Sequence, residues 1–343
     1  MQVVKNMLAS DPNKGPYMKP FFVLLFSFFL MGCGESEENA IAALENLGGS
    51  GVQLDEESGE VFRVILSDTQ ITDAGLEHLK SFASLSWLWL NNTQITDAGL
   101  VHLKELTSLE TLRLDNTQIT DAGLVHLKGL TSLKYLFLRN TPMTDAGLEH
   151  LKALSSLTQL YLTNTKITDT GLEHLKGLTG LTRLDLTNTQ ITDAGLKHLK
   201  GLTSLSNLNL ENMQVTDAGL EHLKGMTSLT VLNLAAPQIT DAGLVHLKGL
   251  TGLSLLLLDD TQVTDAGLEH LKGLTSLMML SLTGTQITDA GLEHLKGLTG
   301  LSALYLDKTS VTDVGLAEIR AALPKCYVDN EGLLQSYEDA LRD

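Results

Sequence analysis

The chain has 343 residues, a formal charge of -17 and two cysteines. Such acidity excludes a protein built to grip nucleic acid, which needs a clustered basic footprint, and two cysteines in unrelated contexts exclude a disulfide framework. The length would fit two or three globular domains, but a period of 24 residues replaces that expectation with one elongated array.

Residues 18–33 read MKPFFVLLFSFFLMGC, a short basic start, an apolar run over 21–31 and then Leu30-Met31-Gly32-Cys33. This is the layout of a secretory signal. A bilayer-spanning helix needs about 20 apolar residues, so a permanent transmembrane helix is the weaker reading. The order Leu, tolerated residue, Gly, Cys resembles the lipobox of bacterial lipoproteins. That resemblance implies that Cys33 is acylated, becomes the mature N-terminus and ties residues 34–343 to a membrane by lipid alone; a plain secreted protein is the alternative. Gly34 follows where an inner-membrane retention signal has Asp. The first 17 residues fit no part of a signal, which makes Met18 a candidate start and 1–33 the leader.

Residues 34–60 read as a tether and an N-terminal cap. Ser36 is placed to cap a helix whose apolar positions are Ala40, Ile41, Ala43, Leu44 and Leu47. Two short apolar runs flanking Asp55-Glu56-Glu57-Ser58-Gly59 predict a hairpin. Such a cap is required because the end units of an array have no neighbour to cover their apolar faces.

From residue 61 to 316 the sequence repeats without an insertion. Gly75, Gly99, Gly123, Gly147, Gly171, Gly195, Gly219, Gly243, Gly267, Gly291 and Gly315 stand 24 residues apart, marking eleven copies. In the copy LSWLWLNNTQITDAGLVHLKEL, the pattern Leu85, Leu88, Leu90 predicts a short strand with leucines inward and Trp87, Trp89 and Asn91 outward. Thr96 and Asp97 are placed to accept the first free amides of a helix that turns Leu100 and Leu103 inward. A lone copy buries too few apolar side chains, at about 1.5–3 kcal/mol each, to offset a backbone ordering cost of about 1–2 kcal/mol per residue. Stacking must supply the remainder.

The phrase ITDAGLxHLKGLTSL resembles the cysteine-containing type of leucine-rich repeat known from F-box proteins, and more closely its tandem threonine-rich relatives in bacterial proteins. The resemblance spans residues 61–313 and implies an α/β fold: a leucine-rich repeat solenoid, horseshoe or arc, with a parallel concave β-sheet and short convex helices. It says little about function. Residues 317–343 form the C-terminal cap, with Cys326 read as the middle inward residue of a last LxxLxL and a closing helix over 331–341.

Several columns imitate chemistry. All ten histidines, from His78 to His294, share one repeat position. A straight row offers an ion at most two neighbours where a structural zinc site needs four, so these are surface residues copied with the repeat. The threonine column from Thr69 to Thr309 is expected to bond loop backbone, with a local irregularity where Met213 and Pro237 interrupt it. No P-loop, GxSxG or HExxH occurs, and neither enzyme, metal nor cofactor is implied.

Function is sought in the letters that change. Both tryptophans and Arg63, Arg113 and Arg183 fall in the two outward strand columns, and Arg139 in the next. Trp, Tyr and Arg are enriched at binding hot spots. The candidate partner-binding residues are Trp87, Trp89, Arg113, Tyr135, Phe137, Arg139 and Tyr161, on the concave face. A second cluster, Leu255, Leu257, Met279 and Tyr305, would be a sticky patch if exposed. The resulting expectation is a non-enzymatic, lipid-anchored scaffold in the bacterial envelope that binds a protein, or a glycan, on its concave face. A structural spacer is the alternative.

Overall fold

A computed structural model describes residues 36–48 and 51–331. The leader with Cys33, and residues 332–343 of the expected closing helix, lie outside the described residues. One open sheet of 13 strands runs in strict sequence order. Its first two strands, β1 (Gly51–Leu54) and β2 (Val61–Ile65), form an antiparallel hairpin with a bulge between Gln53 and Leu54. The rest are parallel: β3 (Trp87–Trp89), β4 (Thr111–Arg113), β5 (Tyr135–Phe137), β6 (Gln159–Tyr161), β7 (Arg183–Asp185), β8 (Asn207–Asn209), β9 (Val231–Asn233), β10 (Leu255–Leu257), β11 (Met279–Ser281), β12 (Ala303–Tyr305) and β13 (Tyr327–Asp329). Three-residue strands bury their middle leucine between two outward side chains, so Leu88, Leu112 and their counterparts are fully covered.

Opposite the sheet, a typical copy makes one α-turn, as at Asp97–Leu100, followed by a 3-10 turn, as at Val101–Leu103. Thr96 caps that turn: its hydroxyl accepts the Ala98 N–H at 3.3 Å. At the N-terminal end, Ser36 caps the helix Glu37–Asn46, which buries Ala40 and Leu44 against the first repeat.

Asp97 does something else. Its carboxylate reaches into the next repeat, where Oδ1 accepts the Thr120 N–H at 2.7 Å and Oδ2 accepts the Thr120 hydroxyl at 2.6 Å. The same two-point clip joins Asp73 to Thr96, Asp121 to Thr144, Asp145 to Thr168, Asp169 to Thr192, Asp193 to Thr216, Asp217 to Thr240, Asp241 to Thr264, Asp265 to Thr288 and Asp289 to Thr312. The Asp289 carboxyl is held below the usual range by the Thr312 hydroxyl and N–H. At Asp145 burial pushes upward, but bonds from Thr168 and Thr170 together outweigh it and leave the carboxyl lowered. From Gly99 onward the glycine column is explained by the same contact: a Cβ on Gly147 would lie 2.6 Å from Asp121 Oδ1.

At the far edge of each strand the threonine column closes a turn. Thr93 donates its hydroxyl to the Leu90 carbonyl at 2.6 Å, and Thr69, Thr117, Thr141, Thr165, Thr189, Thr261, Thr285 and Thr309 do likewise. The residue before each takes a left-handed conformation, φ 53–60° at Asp68, Asn92, Asn116, Asn140, Asn164, Asn188, Asp260 and Lys308 and 69° at Gly284; Asn212, before Met213, shares it at 54°. Short polar side chains tolerate that region best. The amides of Asn92, Asn116, Asn140 and Asn164 each donate to the preceding member of the column, beginning at Asp68. Of the two expected irregularities only one disturbs the backbone. Met213 is buried behind a left-handed Asn212, whereas Ala236 lacks the positive φ of its counterparts and precedes Pro237. Proline disfavours helical dihedrals in the residue before it, and the turn tightens instead through Ala236 N–H to Leu234 O at 2.6 Å.

The last strand corrects one expectation. Leu304 pairs with Val328, not Cys326, so Val328 is the middle inward residue. The helix Asp313–Ala322 is longer than the turns of the other copies, but the 24-residue spacing from Ala303 to Tyr327 is kept. Cys326 sits beside the core, half-buried, with burial pushing its thiol up to about 11.

Clip and glycine should be energetically coupled. Asp121→Ala is expected to destabilise by about 1.5–3 kcal/mol, the scale of hydrogen bonds to a charged group, and Gly147→Ala to destabilise as well. In the double variant the added methyl enters the space left by the carboxylate, so equilibrium urea unfolding should give a cost clearly below the sum.

Candidate functional site

Parallel pairing without register shift turns the outward columns into straight rows. Arg63, Trp87, Thr111, Tyr135, Gln159 and Arg183 lie side by side in one, and Ile65, Trp89, Arg113, Phe137, Tyr161 and Asp185 in the next. Neighbouring strands are about 4.8 Å apart, close enough for large side chains to stack. Here they alternate in character. The Arg63 guanidinium lies 4.7 Å from the ring centres of both Trp87 and Trp89. Arg113 lies between Trp89, at 5.3 Å, and Phe137, at 4.8 Å. Phe137 and Tyr161 stack with ring centres 4.4 Å apart and planes within 8°. Arg139 covers Tyr161 at 4.5 Å, and Arg183 reaches the same ring at 5.5 Å. Each guanidinium so placed is attracted by the ring quadrupole.

Two carboxylates are built into this strip. Asp115 Oδ2 accepts from Arg113 Nε at 3.4 Å, and its Oδ1 accepts the Arg139 N–H at 3.1 Å. Burial pushes the Asp115 carboxyl upward, against the pull of Arg113 and Arg139. Asp185 accepts from the Thr187 N–H and hydroxyl, with the Arg139 guanidinium 3.8 Å away. Arg63 and Arg183 have no carboxylate within ion-pair distance among the described residues. Burial also lowers the Arg63 pKa from its usual value. Three polar atoms on adjacent strands are buried without a partner: Arg63 Nε, Trp89 Nε1 and Thr111 Oγ1. Such groups cost about 1–3 kcal/mol each when left unpaired.

The seven candidate residues therefore share one contiguous strip, but not one exposed surface. Trp87, Trp89, Arg113, Tyr135 and Arg139 are half-buried. Phe137 is 1% exposed and Tyr161 3% exposed, so stacking has turned these two into a small core on the sheet face. The apolar cluster farther on is also corrected. Leu255, Leu257, Met279 and Ala303 are buried by one another, with Val231 and Tyr305 packed alongside, and so present no open sticky patch. Burial there pushes the Tyr305 phenol up to about 12. Sequence reasoning missed Asp115 and Asp185 as parts of the site. Their signal was available, since a carboxylate in an outward column beside arginine columns is placed to pair with them.

The histidine column lies on the helix side, each member half-buried; His102, His150, His174, His222 and His270 keep a buried Nδ1 without a partner. Among the described residues no three potential metal ligands converge.

Comparison with known proteins fits this architecture. Models described as leucine-rich repeat match residues 107–167, 155–215 and 273–296, and a two-copy leucine-rich repeat model matches 83–126. Among solved structures, an internalin from Listeria monocytogenes superposes with a TM-score of 0.60 at 24% identity, over 85% of this chain and 93% of that one. At that identity the likeness concerns the fold. No curated protein matches the sequence.

If Phe137 is core rather than contact surface, Phe137→Ala should cost about 3–5 kcal/mol, the range for buried aromatic truncation. Urea unfolding of this variant beside Tyr135→Ala checks it: the half-buried Tyr135 should cost distinctly less.

Proposed function

Taking the chain as a leucine-rich repeat protein, we propose that it is a non-enzymatic scaffold whose concave face, at strands β2–β7, binds another protein. One observation carries this reading: both tryptophans of the chain and four of its six arginines are gathered in that strip. Interior leucines have no need of them, and solenoid stability is supplied by the repeated letters. The same geometry favours a protein over a glycan. Sugar stacking requires an open aromatic face, and here the faces of Trp87, Trp89, Phe137 and Tyr161 are occupied by guanidiniums or by one another.

The scaffold is displayed outside the cytoplasm, tethered by lipid on Cys33. This part of the proposal rests on the signal-like segment 18–33 and its Leu-Met-Gly-Cys ending. Among the described residues no helix is long and apolar enough to cross a membrane.

Two measurements test the halves separately. Trp87→Ala combined with Tyr135→Ala, both half-buried positions, should lower recovery of a partner from native envelopes by about tenfold, the effect of losing a hot spot, without changing the circular dichroism spectrum. Equal recovery of every partner by variant and parent would leave the array as a spacer. Cys33→Ser should move the protein from the membrane to the soluble fraction and remove the acyl increment from its mature mass; an unchanged distribution and mass would end the lipoprotein reading.

A further inference from the structure

Resting on the concave-face reading, we propose that the strip between Arg63 and Arg183 accepts an extended acidic peptide segment of a partner protein, with carboxylates meeting the two terminal guanidiniums. The argument begins with charge. The chain carries a net -17, yet the outward positions of β2–β7 and the residues just beyond them hold Arg63, Arg113, Arg139 and Arg183 against only Asp115 and Asp185. Further along the same face, Glu211, Asp259 and Asp307 occupy the column of Asp115 and Arg139. The face is thus polarised, cationic at one end and anionic at the other. With a screening length of about 8 Å at physiological salt, a ligand on the cationic strip responds to it more than to the distant acidic surface.

Geometry then selects the chemistry. The guanidinium carbons lie 4.5–6.0 Å from aromatic ring centres, and the N–H groups of a guanidinium radiate in its plane, a disposition that suits edge-on pairing with carboxylates. Arg113 and Arg139 already have such partners in Asp115 and Asp185. Arg63 and Arg183 engage aromatic rings but no carboxylate among the described residues. The unpartnered Arg63 Nε and Trp89 Nε1 are both donors, so what is missing beside them is an acceptor. Arg63 is partly exposed at the first member of the stack, with Gln53 of β1 as its neighbour on the other side.

Length gives the size of the occupant. From β2 to β7 there are five strand spacings, about 24 Å at about 4.8 Å each, a distance covered by about seven extended residues. Arg183, Asp185, Asn207 and Asn209 border a small open pocket at this end of the strip.

The probes are a fluorescein-labelled peptide of seven glutamates, the corresponding lysine peptide and a similarly labelled oligogalacturonate, titrated into the purified mature chain at 0.15 M salt with anisotropy as readout. The glutamate peptide is expected to bind, and Arg63→Gln combined with Arg183→Gln to weaken it by about tenfold or more, as loss of charged hydrogen bonds implies. Lys200→Gln on the helix side is expected to leave binding unchanged. Because Arg63 also packs on two tryptophans, folding of each variant is followed by circular dichroism, and Arg183→Gln alone, expected to weaken binding by at least threefold, provides a test free of that packing. Absence of binding, equal binding by the arginine variants, or preference for the lysine peptide or the oligogalacturonate would overturn the proposal. A natural partner lost in the Trp87/Tyr135 variant but retained by both arginine variants would overturn the acidic-segment proposal alone and leave the concave-face reading standing.

Discussion

The stack depends on a carboxylate that serves its neighbour. In most repeats a threonine hydroxyl caps its own helical turn, as Thr120 does, while the following aspartate leaves that turn and takes an amide and a hydroxyl from the next unit. Hydrophobic burial between repeats is strong but tolerates sliding, because leucine presents no direction. Two short bonds to one charged group do not tolerate it. The clip therefore fixes the register that leucines alone would leave loose, and it does so at the helix side, remote from the strand ladder that fixes the other edge. With both edges held, the outward columns become straight rows.

Those rows explain why the concave face behaves as it does. Stacking at strand spacing brings side chains of adjacent repeats into contact whether or not they face solvent. A tryptophan beside an arginine becomes a sandwich, and a leucine beside a methionine becomes a second core. The face is divided into a cationic-aromatic part and a part that is apolar with acidic residues alongside, and this division arises from the letters that differ between copies otherwise nearly identical. The fold is redundant and the face is not, so substitutions in the two classes should be felt in different assays.

Much of this architecture was legible in the sequence because period, apolar spacing and the glycine column all carry the same message. The inward leucines follow from spacing, and the parallel sheet and the threonine turns from spacing together with the resemblance to leucine-rich repeats. What escaped was contact across the period. Asp97 looked like a helix cap, because within one repeat it stands at a helix start; only the placement of the next copy shows that Thr120 lies within its reach. Phe137 looked exposed, because strand alternation points it outward; its burial comes from Arg113 and Tyr161, one repeat away on either side. Cys326 was misplaced by two residues because Leu323, Cys326 and Val328 happen to match an LxxLxL template, whereas the unbroken period puts Val328 in the place of Leu304 and leaves Lys325 and Asn330 where the repeats have leucine. The candidate strip itself was found from the variable letters, although which of its members remain open to a partner could not be read from alternation.

An array of nearly identical parallel strands carries a hazard that its own regularity creates: the last edge of one molecule is complementary to the first edge of another, and a head-to-tail contact of that kind propagates into filaments. The hairpin at the N-terminal end answers it. Strand β1 is four residues long and runs antiparallel to β2, and their pairing skips Phe62, so the edge it presents is not that of a repeat strand. Among the described residues, the array thus begins on a strand that is not a copy of the repeat.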